Sequence, residues 1–264
     1  MTKSISRRRL IYTSWIYASG FGLPLTQALA APESPVSETF PMQPSEMVKE
    51  MVIVSHGKFD RVRELVEAHP ALSKAAWDWG YGDWEAAIDA ASHVGNRQIA
   101  EYLLTRGARP TLFSAAMLGQ LDVVKAFIAA NPGIQRCPGP HSISLLAHAK
   151  NGGPAAKEVY QYLESLGDAG TPSSVPLSEA ELQELAGSYS FGSGPRDRME
   201  VKNERGQLSL TREGGIARGL VHLGENAFHP AGASAVRVIF TQTSGAVTLT
   251  VHDPVPVLTA TKRN

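Results

Sequence analysis

The chain has 264 residues, 43% of them apolar, which is enough for packed cores and excludes a disordered protein. Its 25 basic and 25 acidic residues balance, yet Lys3, Arg7, Arg8 and Arg9 fall in the first thirty residues without an acid; the 21 bases and 25 acids beyond, about −4, leave no electrostatic footprint for nucleic acid or anionic lipid. The single cysteine, Cys137 in "RCPGPH", excludes an intramolecular disulfide and a multi-cysteine metal site.

Residues 1–30 have a basic start, a middle diluted by Thr13, Ser14, Ser19 and Gly20, and the small-residue ending Ala28-Leu29-Ala30. That is the build of a secretory leader cleaved before Ala31, and "SRRRL" at Ser6–Leu10 places paired arginines where a twin-arginine signal has them. The middle is shorter than the roughly 20 apolar residues that span a bilayer. The expected location is therefore periplasmic or otherwise exported, with no membrane attachment after cleavage.

The Pro-, Ser- and Glu-rich stretch 31–45 reads as a flexible linker. From 46 to 168 short amphipathic segments punctuated by Gly and Pro predict paired helices. Segments 86–108, 110–132 and 143–169 share a small-residue helix, a glycine and a second helix, and 52–70 is a fourth, weaker copy. Gly57, Gly95, Gly119 and Gly152 stand at the inter-helix turns, where a positive φ is cheap only for glycine. A second linker is expected over 169–177. From 178 to 264 alternating apolar and polar residues between glycine turns predict antiparallel hairpins closing into a small barrel. The expected fold class is thus α+β in separate domains, a helix-turn-helix stack followed by a β-barrel or meander.

"LLTRGA" and "TLFSAAMLGQLDVV" resemble the ankyrin repeat, with Phe113 where that family usually carries histidine. The resemblance covers about 120 residues. It implies a stack with a concave binding surface that engages a protein partner without catalytic residues or cofactors. The third copy departs from the family's standard fingertip surface, because its connecting finger is nearly absent. "LSEAELQELAGSY", with a Ser178/Glu181 capping box, is similar to the lipocalin-like barrel appended to exported bacterial proteins. A barrel of that size is filled by side chains or holds one small apolar ligand.

No phosphate-binding glycine loop, H-E-x-x-H or G-x-S-x-G occurs, so no catalytic residue is assigned. His93, His141 and His148 would make a three-histidine metal site. The simpler reading keeps His148 in the core and His141 at a turn, and assigns no metal ligand. Glu85, Asp89 and His93 are spaced as one helical stripe, with Glu85 in the first turn and Asp89 in the slot where ankyrin repeats keep a bonding histidine. "WDWGYGDW" remains, with more large rings than a solvated finger needs. It either covers the flank left by the short third finger or contacts a partner. Trp77, Trp79, Tyr81, Asp83, Trp84, Asp89, His93 and His141 are therefore the candidate binding residues. The main reading is an exported, non-catalytic protein-binding module. The alternative is a small-molecule carrier or sensor using the barrel or the groove between the domains.

Overall fold

The structure, a computed structural model, describes residues 39–171, 174–243 and 245–263. The leader expected over 1–30 and the linker residues 31–38 lie outside them. From Thr39 onward the chain forms one compact unit, helices first and then a closed antiparallel barrel of eight strands.

The helices come in four pairs: α1 (Ser45–Val54) with α2 (Phe59–Ala68), α3 (Ala87–His93) with α4 (Arg97–Thr105), α5 (Leu112–Met117) with α6 (Leu121–Ala130), and α7 (Leu145–Asn151) with α8 (Lys157–Leu166). Small residues let the first helices approach closely: Ala90, Ala91, Ala115, Ala116 and Ala149 are all buried. The α7 helix packs on both α5 and α3. Starts are fixed by side-chain caps, Asn96 for α4, Thr111 with Ser114 for α5 and Ser144 for α7. Apolar stripes such as Ile99/Leu103 and Val159/Leu163 then close the pairs.

Two of the turn glycines behave as expected, Gly95 at φ 75° and Gly119 at φ 77°. At Gly57 and Gly152 the backbone is not left-handed. Gly152 is instead required by proximity, because a Cβ there would lie 2.1 Å from the Met117 carbonyl oxygen. Gly95 combines both constraints, its missing Cβ falling 2.2 Å from the Asn151 oxygen. Gly95→Ala is expected to cost about 2–4 kcal/mol in urea unfolding, from the left-handed backbone and the clash together. Gly57→Ala, with open space around it, should change stability by no more than about 0.5 kcal/mol.

Between α2 and α3 the aromatic run folds into a hairpin, β1 (Ala76–Asp78) against β2 (Trp84–Ala86), with Trp77 opposite Glu85. Its turn is made by Gly80, Tyr81 and Gly82, all at positive φ, and the Gly80 amide donates to Asp78 Oδ1 at 2.8 Å. Glu85 is therefore a strand residue, and α3 begins only at Ala87. The expected helical stripe of Glu85, Asp89 and His93 fails at its first member, because the hairpin register takes that residue before the helix starts.

The barrel strands are β3 (Gly187–Ser190), β4 (Arg198–Glu204), β5 (Gln207–Arg212), β6 (Arg218–Gly224), β7 (Ala227–Pro230), β8 (Arg237–Thr243), β9 (Ala246–His252) and β10 (Pro256–Lys262). Each pairs with the next, and β10 closes on β3. Helix α9 (Glu179–Leu185), started by the expected Ser178/Glu181 capping box, adds Leu182 and Leu185 to the barrel core. The axis is filled by rings, Phe240 meeting Tyr189 and Phe228 edge-on at 5.8 and 5.4 Å.

Stack and barrel are docked rather than separated. In the stretch expected as a linker, Ala169 is buried in the helical core and the Val175 amide donates to the His222 carbonyl at 3.1 Å. Arg218, the first residue of β6, reaches into the hairpin and donates to Asp83 Oδ2 and, at 3.4 Å, to the Gly80 carbonyl. A buried charge pair holds only when both partners are brought together, so this contact requires the two parts to sit against each other.

Candidate metal centre

Four side chains from separate turns of the stack converge. His56 follows α1, Glu85 is on β2, His93 ends α3, and His141 lies in the turn before α7. One ligand-type atom from each lies within 4.8 Å of all the others. His93 Nε2 is 2.9 Å from His56 Nε2 and 3.0 Å from Glu85 Oε1, while His141 Nε2 and His56 Nε2 are 3.5 and 3.7 Å from the same oxygen. Atoms bound to one zinc ion at about 2.0–2.1 Å stand about 3.3 Å apart at tetrahedral angles. These four separations, 2.9–3.7 Å, bracket that edge.

The polar inventory is otherwise unbalanced. Glu85 is wholly buried, and its Oε1 has no well-aligned hydrogen bond although three imidazole nitrogens face it. His56 Nδ1 lies 3.2 and 3.0 Å from the Val52 and Ile53 carbonyl oxygens, which turns its Nε2 toward His93 Nε2 and Glu85. Two ring nitrogens and a carboxylate oxygen thus share a space suited to one cation.

Three of the four side chains are aimed by outer partners, as metal ligands usually are. The α1 carbonyls hold His56. Trp79 Nε1 donates to Glu85 Oε2 at 2.8 Å. Asp83 accepts from His141 twice, Oδ2 from Nδ1 at 2.8 Å and Oδ1 from the backbone amide at 2.9 Å. His141 and Ser142 both lie in the left-handed region, φ 58° and 61°, where the Asp83 bonds hold the first and the Gly232 amide, donating to Ser142 Oγ at 2.7 Å, holds the second. Burial raises the Asp83 carboxyl, but His141 and Arg218 outweigh it and keep it below its ordinary range. Burial also pushes Glu85 up, and the His141 and His93 rings reverse this and hold it at about 2. The hydrogen bond to Asp83 and then the nearby Glu85 carboxylate lift His141 to about 9 against burial. A proton fills the role of a cation in such a cluster until a metal displaces it.

The candidate binding residues therefore divide. Trp79, Asp83, His93 and His141 belong to the centre or its supports. Trp84 and Asp89 line a second cavity of about 280 Å³, which Asp83 also lines. Asp89 ties α3 to the next pair, accepting from Thr111 Oγ1 at 2.5 Å, and burial raises its carboxyl to about 6. Trp77 packs on the core under Lys49, and Tyr81 stands at the hairpin tip. His148 lies in the core, as the simpler reading of the sequence has it: its Nδ1 donates to the Ser144 carbonyl, burial lowers the ring to about 4, and it packs against Phe113. The residues that join His93 and His141 are His56 and Glu85. A signal for His56 was present in the sequence, since Ser55-His56 just past α1 and Ser92-His93 at the end of α3 each place a Ser-His pair shortly before the turn glycine.

No protein family and no curated protein matches the chain.

Proposed function

We propose that this is an exported binding protein, a stack of ankyrin-type helix pairs backed by a lipocalin-like barrel, whose recognition centre is one transition-metal ion held by His56, Glu85, His93 and His141. The observation that carries the reading is the buried Glu85 oxygen without an aligned hydrogen bond, ringed by three imidazole nitrogens at 3.0–3.7 Å. Imidazole nitrogens with one carboxylate suit zinc and its first-row neighbours rather than magnesium or calcium. Loading should displace the His141 proton, so affinity falls as pH is lowered.

The test is metal analysis of protein loaded with zinc and dialysed. The expected stoichiometry is about one, and His93→Ala should lower affinity beyond the ~10–100-fold that an outer partner such as Asp83→Asn removes. Far-ultraviolet circular dichroism checks that both variants keep their helices. Less than about a tenth of an equivalent in the wild-type chain would overturn the reading.

A further inference from the structure

The cluster is shielded on one side and open on the other. Glu85 is buried and His93 largely covered, with side-chain exposures of 0% and 11%, whereas His56 and His141 are 33% and 30% exposed. Those two rings form the floor of a cavity of about 180 Å³, walled by Trp79 and roofed by Ile216, Ala217 and Arg218 at the start of β6 and the turn before it. A divalent ion with Glu85 and three neutral imidazoles carries one net positive charge. The Arg218 guanidinium adds none, because Asp83 answers it. Zinc with four protein ligands is ordinarily closed, but zinc centres can expand to five-coordinate and first-row neighbours take more donors, so an exposed side of the cluster is where a further donor would enter.

We infer that the metal keeps an open position toward this cavity and binds a small monocarboxylate there, the carboxylate on the ion and an apolar body against Trp79 and Ile216. The inference rests on the metal reading above. Charge selects the head group, since a monoanionic oxygen donor neutralises the centre. The wall selects the tail: an apolar cavity of about 150 Å³ is enough to take a benzene ring. The barrel thereby acquires a role at the site, because its β5–β6 turn shapes the space above the ion.

The test uses the full chain loaded with cobalt(II), whose visible spectrum reports its ligands, titrated with benzoate and with acetate. Benzoate should shift the spectrum saturably, and acetate should bind about ten-fold or more weakly for lack of a ring to bury. Ile216→Trp, which fills the cavity from an exposed turn, should weaken benzoate by a further ten-fold or more (roughly the loss of that burial) while cobalt stays at one equivalent. Cobalt bound at one equivalent with a spectrum indifferent to benzoate would overturn this inference alone and leave a closed, four-ligand centre. A benzoate shift that Ile216→Trp leaves unchanged would overturn the cavity assignment. Failure to bind cobalt or zinc at all would bring down the metal reading and this inference with it.

Discussion

Zinc at a free concentration a thousand times its dissociation constant will stabilise the folded protein by about 4 kcal/mol. In a folded unit of this size that corresponds to a rise in Tm of about 8–16 °C. The cause is the dispersion of the four ligands along the sequence: they span positions 56 to 141, so the unfolded chain offers no preformed site. Excess chelator should return the melting curve to its starting point. His56→Ala should abolish most of the zinc-induced rise, whatever it does to the apo protein. A melting temperature that ignores zinc would contradict a four-ligand centre.

Removing the barrel's arginine should be nearly as costly. Arg218 and Asp83 are 9% and 3% exposed, and the Arg218 Nη1 also donates to the Ala231 carbonyl at 3.1 Å. Arg218→Ala strands the Asp83 carboxylate in the interior with only His141 to answer it, and a buried pair broken on one side loses about 3–5 kcal/mol. Urea unfolding measures it. The double variant Asp83→Asn/Arg218→Met should recover much of that loss, because neither isolated charge then remains. A loss below about 1 kcal/mol for the single variant would mean that the pair behaves as a solvated surface bridge. The same variant should weaken metal binding, since Asp83 positions both the ring and the backbone of His141.

Local chemistry made much of the architecture legible. Small-residue helices with a glycine turn announced four helix pairs, and the Ser178/Glu181 box and alternating strands announced α9 and the barrel. The site was less legible because it is built from long-range placement. Glu85 carries a helix-compatible spacing to Asp89 and His93, yet the register Trp77↔Glu85 assigns it to a strand whose partner lies eight residues earlier. His148 and His56 are both plausible histidines in the sequence. Only the packing of α7 on α3 and α5 turns His148 inward and leaves the place beside His93 to His56. The docking of the barrel was equally hidden, because nothing near Arg218 in the sequence points to Asp83, 135 positions away.

Convergence of the first, second and fourth helix pairs on one carboxylate has a consequence for how the protein moves. Stacks of repeats ordinarily fray from their ends, each unit answering only to its neighbours. Here the turn after α1 holds His56 against His93 and Glu85, so opening the first pair dismantles the centre, and filling the centre restrains the first pair. Amide exchange along α1 then becomes a gauge of occupancy at a site whose other ligands lie up to 85 residues further along the chain. The end that would otherwise be the loosest part of the stack is the part that would register an ion bound at the proposed centre.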